Sequence, residues 1–229
     1  MRHLLTSTML LLVVAGCHEG AASDQATGRA AAAPSTAAAE TAPAHVGTDP
    51  GHVGRGTPLS AQAGHELAAF AAGCFWGVED AFRHVDGVTA TAVGYTGGHT
   101  ADPTYERVCQ HDTGYAETVL VEFDPKRVSY GRLLDIFFEI HDPTTLDRQG
   151  PDEGDQYRSA IFTQSPAQVQ AARAALARAQ KKQSDKIVTQ ITELKPFYRA
   201  EDYHQQYAER TGSHGCPIRH FSGESSASL

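Results

Sequence analysis

A cysteine between two glycines marks the point where the hydrophobic period of this chain changes. Glu66 to Ala72 is a short run of small apolar residues, the pattern of a buried strand. From Val78 onward, Val78, Ala81 and Phe82 recur at helical spacing, with Glu79 and Asp80 turned away. The intervening Gly73-Cys74-Phe75-Trp76-Gly77 must therefore turn a strand into a helix, with Cys74 on or beside the helix's first turn. Unpaired backbone N–H groups and the positive end of the helix dipole favour a thiolate there. Such a thiol is either a nucleophile or a buried structural side chain packed among its aromatic neighbours.

What precedes this turn reads as delivery rather than chemistry. Arg2 and His3 lead into a mostly apolar stretch, Leu4 to Val14, too short to span a bilayer as a helix. It ends in Val14-Ala15-Gly16-Cys17, which resembles the lipobox of bacterial lipoproteins; the alternative is an ordinary cleaved signal with an incidental cysteine. The lipobox reading makes residues 1–17 a signal, lipidates Cys17 and removes it from redox chemistry. Residues 18–60 read as a disordered tether: 12 of the 24 residues from Ala21 to Ala44 are alanine, prolines and glycines follow, and almost no large apolar side chain could offset chain entropy. His45, His52 and His65 are expected in solvent rather than on a metal. The 229 residues leave room for one ordinary domain, expected over 61–220, with a disordered tail over 221–229. A formal net charge of −8 argues against a nucleic-acid partner, and four cysteines are too few for a disulfide scaffold.

Within the domain, Val88, Ala90 and Ala92 alternate as a strand that Gly94-Tyr95-Thr96-Gly97-Gly98 is expected to break. No GxGxxG phosphate fingerprint is present. Tyr105 is a loop aromatic or a hydroxyl donor. Cys109 reads as a small buried hydrophobe, and with His111 it lacks the second ligand pair of a zinc site. Glu117, Val119, Val121 and Phe123 share one strand face, with Glu122 on the other. Glu117 thus opens the apolar face, where desolvation would raise its pKa and suit it to donate a proton; the alternative is a strand-end carboxylate in solvent. Ser129 caps a helix striped by Leu133, Leu134, Phe137, Phe138 and Ile140. His141 and Asp142 are a catalytic pair or turn and capping residues. A strand over Tyr157–Phe162, a helix opened by Ser165-Pro166 and a strand over Ile187–Leu194 follow. Cys216, in Gly215-Cys216-Pro217, is a resolving thiol, a surface cysteine or a metal ligand with His214 and His220.

Six separated segments of this domain resemble peptide methionine sulfoxide reductase A. They are Gly73–Gly77 with Val78-Glu79, Gly94–Gly98, Asp102–Tyr105, Gly114-Tyr115-Ala116-Glu117, Arg148–Ser159 and Pro196–Tyr207. The resemblance implies an α+β two-layer sandwich, a mixed β-sheet flanked by helices around a ferredoxin-like core. It implies reduction of the S epimer of methionine sulfoxide in proteins, with Cys74 attacking sulfur and Glu117 supplying the proton. Phe75 and Trp76 would hold the S-methyl group, and Tyr105, Asp152 and Tyr157 the sulfoxide oxygen. Cys216 would resolve the oxidised Cys74; it lies nine residues after Tyr207 (216 − 207), as in many members. The residues around Cys216 depart from the usual Asn-Pro and Tyr-Cys setting, and no second C-terminal cysteine follows. No metal or organic cofactor is implied, only a thioredoxin-like or other dithiol reductant. The expected protein is a monomer at the bacterial cell envelope, periplasmic or on the outer membrane, held by its lipid. A tethered binding module for oxidised methionine would not need Glu117 or a resolving thiol. An envelope thiol-redox or metal-handling lipoprotein would not need the Phe-Trp wall. The joint presence of thiol, wall, acid and phenols favours the reductase.

Overall fold

The computed structural model describes residues 47–52 and 59–213. The main elements are β1 (Glu66–Ala72), α1 (Phe75–Arg83), β2 (Val88–Thr96), α2 (Tyr105–Val108), β3 (Ala116–Phe123) and α3 (Tyr130–Ile140). A two-residue ladder, β4 (Arg148–Gln149) and β5 (Asp152–Glu153), precedes β6 (Ser159–Thr163), α4 (Pro166–Gln180), β7 (Gln190–Glu193), β8 (Tyr198–Arg199) and α5 (Tyr207–Thr211). Six strands form one sheet in the order β7-β6-β1-β3-β2-β8. Only β6 and β7 run parallel, joined through α4 as a crossover requires; all other pairs are antiparallel. This is the mixed sheet with flanking helices expected of the sequence.

The helices form where the pattern places them. Ser129 and Ser165 accept the Arg132 and Gln168 N–H groups and so cap α3 and α4, and Pro166 opens α4. Val78, Ala81 and Phe82 of α1 and the whole α3 stripe enter one core with Ala68, Phe70, Val93, Tyr95, Val119, Val121 and Phe123. Phe70 is its hub, stacked on Phe82 at 5.0 Å and on Phe137 at 5.4 Å.

The sheet's other face is dry as well. Leu67, Ala69, Ala71, Ala116, Leu120, Ala160 and Phe162 meet Phe197, with Leu59, Ala61 and Leu194 packed alongside. The tether expected over 18–60 therefore does not run free to Ser60. Gly47 bridges β2 at Ala90, its N–H donating to Thr89 O at 2.7 Å, and the Gly51 N–H donates to Glu122 at 2.8 Å. Glu122, on what alternation reads as the outer face, is fully buried and also bonded to His65 Nδ1 at 2.9 Å, so His65 is not a solvated histidine. Three other expectations are corrected. Gly94 to Thr96 continue β2, because Gly94 and Tyr95 pair with β8; a Cβ on Gly94 would lie 2.3 Å from the Tyr198 carbonyl oxygen. Tyr157 lies in a single 3-10 turn before β6, not in the strand, and the last strand shortens to Gln190–Glu193.

Candidate active site

Gly73 adopts φ +97°, and a Cβ there would strike Gln149, so the turn out of β1 requires glycine. Cys74 follows as the buried N-cap of α1. Phe75 and Trp76 stand in the first turn, and the Phe75 N–H donates to Glu117 Oε2 at 3.0 Å. Glu117, 2% exposed, reaches that N–H from β3, where Tyr95 of β2 is its paired neighbour. The acid and the helix start are thus joined by one hydrogen bond adjacent to the thiol.

Tyr105 opens α2, a turn whose own cap is Thr104. Burial pushes the Tyr105 phenol up, reinforced by the negative potential of Cys109, Glu117 and Cys74. Tyr157 is pushed up chiefly by burial and then by Glu117, Tyr105, Cys109 and Asp152. Both phenols thus remain O–H donors near neutral pH, within electrostatic reach of Glu117. Asp152, half-buried in β5, lies close enough to Tyr157 to contribute to that shift. Cys109 is not a buried hydrophobe. It is half-exposed at the end of α2, burial raises its thiol, and the Tyr105 hydroxyl donates to its sulfur and partly opposes that rise. Cys17 and Cys216 lie outside the described residues.

Several residues that sequence reasoning passed over hold this arrangement. Glu201 accepts the Tyr105 N–H at 3.0 Å and the Tyr95 hydroxyl at 3.1 Å. Burial alone would raise its carboxyl, but these donors and its own backbone N–H hold it below the ordinary range. His204 accepts the Trp76 indole N–H at 3.1 Å, and Tyr207 stacks on that indole at 4.0 Å. Burial lowers His204 to about 4 against the opposing pull of Glu201, so the ring is neutral. Glu79 does not turn away from the core. It is buried, raised by that burial, and accepts from the Thr91 hydroxyl and from the backbone and side-chain N–H groups of Gln206. Arg83 adds a two-pronged pair to Glu209 at 2.7 and 3.0 Å and donates to the Gly47 carbonyl at 3.0 Å. The signal for Glu201, His204, Gln206 and Tyr207 was the Pro196–Tyr207 match; Glu79 stood in the Gly73–Glu79 match, and Arg83 and Glu209 in none. His141 and Asp142 are structural: His141 bonds the Phe137 carbonyl and Ser159, and Asp142 accepts from Thr144. Arg158 donates to the Asp155 and Gly114 carbonyls and to Gln190 Oε1.

A thiol at the N-cap position of a helix, a buried carboxyl bonded to the next residue and two protonated phenols on an α+β sheet form an arrangement suited to a cysteine-dependent oxidoreductase. The family model described as peptide methionine sulfoxide reductase matches residues 66–228, and the chain belongs to that family. The peptide methionine sulfoxide reductase MsrA of Methanosarcina mazei is 60% identical over 151 residues, 65% of this chain and 72% of the relative. Among solved structures, methionine sulfoxide reductase A of Corynebacterium diphtheriae superposes with a TM-score of 0.66 at 35% identity, covering 84% of this chain and 98% of that one. Mxr1 from Saccharomyces cerevisiae in complex with Trx2 gives a TM-score of 0.50 at 29% identity, over 72% and 95% of the two chains.

Proposed function

We propose that this chain reduces the S epimer of methionine sulfoxide in proteins, with Cys74 as nucleophile and Glu117 as acid. Membership of the family makes it an oxidoreductase that returns methionine sulfoxide in proteins to methionine by a thiol–disulfide cycle, without metal or organic cofactor. The observation that carries the residue assignment is the Phe75 N–H bond to Glu117, which anchors the acid beside the thiol. The Cys74 thiolate bonds to the sulfoxide sulfur while the Glu117 proton moves to its oxygen. Oxygen passes to the cysteine sulfur, so methionine leaves, Cys74 becomes a sulfenic acid and Glu117 a carboxylate. Tyr105, Tyr157 and Asp152 hold the oxygen through the step, and Phe75 and Trp76 enclose the methyl. The Cys216 thiol then displaces water from the sulfenic acid to give a disulfide, which an external dithiol reduces. A thioredoxin-type reductant is supported by yeast Mxr1 having been solved with Trx2.

The same reading makes residues 1–17 a signal, Cys17 the lipid site and 18–46 a tether to the bacterial envelope, periplasmic or outer-membrane, with a monomeric domain at its end. Acyl chains contribute about 0.8 kcal/mol per buried methylene, enough with more than one chain for stable anchoring. Full-length protein should partition into detergent, and Cys17→Ser should stay aqueous; an aqueous wild type would rule out the anchor.

The test of the reaction uses a peptide carrying both sulfoxide epimers, excess dithiol, and Cys74→Ser alongside. Loss of the S epimer alone, abolished in the variant, is expected. If neither epimer is consumed by folded protein, a non-catalytic binding module for oxidised methionine becomes the better reading.

A further inference from the structure

Stacking fixes the plane of an aromatic ring but not its orientation within that plane. Trp76 lies on Tyr207 with the ring planes 11° apart and the centroids 4.0 Å apart, an arrangement that still lets an indole swivel or flip. One directional contact removes that freedom, the indole N–H donating to His204 Nδ1 at 3.1 Å. His204 is 1% exposed and enclosed by rings: Tyr203 at 4.1 Å, Tyr105 at 4.5 Å and Phe75 at 5.1 Å.

That contact sets the imidazole tautomer. Because Nδ1 accepts, the ring proton resides on Nε2, and Nε2 has no hydrogen-bond partner among the described residues. The Glu201 carboxylate is 4.0 Å away, beyond a hydrogen bond. A buried unmatched N–H is unfavourable, and phenylalanine would fill the same ring cage without it. What histidine alone adds here is the acceptor aimed at Trp76.

We infer that His204 is a positioning residue: its Nδ1 locks the Trp76 indole in one orientation and so sets the size of the wall that receives the S-alkyl group, making it a determinant of methyl over larger alkyl sulfoxides. This rests on the reading of Phe75 and Trp76 as the methyl wall.

The test compares full-length wild type, His204→Phe, which keeps the ring and loses the acceptor, and His204→Asn, whose amide oxygen falls near the lost Nδ1. Trp76 is the single tryptophan, so its indole N–H gives one NMR signal, read without substrate. That signal should move upfield in His204→Phe and return toward wild type in His204→Asn. With methionine and ethionine sulfoxide in the same peptide, His204→Phe should raise KM for the methyl substrate by about three- to tenfold, the worth of one such hydrogen bond. Its kcat should change little, the methyl-over-ethyl preference should narrow by a similar factor, and His204→Asn should restore both. An unmoved indole signal in His204→Phe overturns the inference, as does a moved signal with unchanged selectivity. The wild type gives an independent reading should His204→Phe not fold, because an Nδ1–H tautomer at His204 would refute the inference outright. If the wild type reduces neither sulfoxide, the parent reading fails, and the substrate-free indole and tautomer signals separate that failure from a failure of the clamp.

Discussion

Replacing Glu117 separates its place in the fold from its place in the chemistry. The side chain is buried, and its Oε2 accepts the Phe75 N–H at 3.0 Å. Glu117→Gln keeps the shape and leaves an amide oxygen for that N–H, but it removes the acidic proton. Loss of a positioned general acid reduces rate by about 10²- to 10⁴-fold, which is roughly 3–5 kcal/mol of barrier. Glu117→Ala loses the acid too and also strands the Phe75 N–H, adding about 1–3 kcal/mol of destabilisation. In a protein of this length each kcal/mol lowers Tm by about 2–4 °C. The two variants should therefore be equally slow but unequally stable. The assay is single-turnover reduction of a sulfoxide peptide by pre-reduced enzyme without external dithiol, so that recycling cannot mask the chemical step, with thermal melts alongside. A Glu117→Gln rate within tenfold of wild type would remove Glu117 as the proton source. Equal melting of the two variants would instead show that the Phe75 bond contributes nothing to the fold.

Three further outcomes are expected. His204, held down to about 4 by burial, takes up a proton on unfolding between pH 6.5 and 4, so stability should fall as pH drops through that window. Chemical denaturation across that range should give a shallower pH slope for His204→Phe than for wild type; parallel slopes would contradict it. Gly94→Ala would push a Cβ against the Tyr198 carbonyl and force β8 off β2, destabilising the protein by about 1–3 kcal/mol in denaturant melts; unchanged stability would mean β8 is not tightly paired. The Cys109 thiol, raised by burial, should alkylate more slowly near pH 8 than an unperturbed cysteine, and Tyr105→Phe should slow it further by removing the hydrogen bond that partly lowers it. Mass mapping of the modified peptides follows this, and faster alkylation in Tyr105→Phe would reverse the assignment.

The sequence exposed those features whose cause is local. Ser129 and Ser165 cap helices through their own next turn, and Leu67 to Ala72 is buried on both sides and so unmistakably apolar. The same locality placed Cys74 at the start of α1 and Glu117 on the core face of β3. What stayed hidden depends on distant chain. Alternation assumes one wet face on β3, and nothing near Glu122 announces that Gly51, 71 residues away, will cover it. Glu79 looks solvent-facing on a helical wheel until Gln206, 127 residues later, supplies its donors. His204 and Glu201 sat in a matched motif, but ring packing and hydrogen bonds to Trp76 and Tyr105 cannot be read from letters.

The outer side of β2 is occupied along its length by three unrelated partners. Gly47 bonds at Thr89 and Thr91, the Gln205 amide bonds both backbone groups of Val93, and β8 takes Gly94 and Tyr95. At the opposite end, β7 spans four residues and carries Gln190, Thr192 and Glu193. An open sheet margin is a template for strand addition by any extended polypeptide. With the margin of β2 occupied and β7 short and polar, the described sheet leaves little backbone for strand addition.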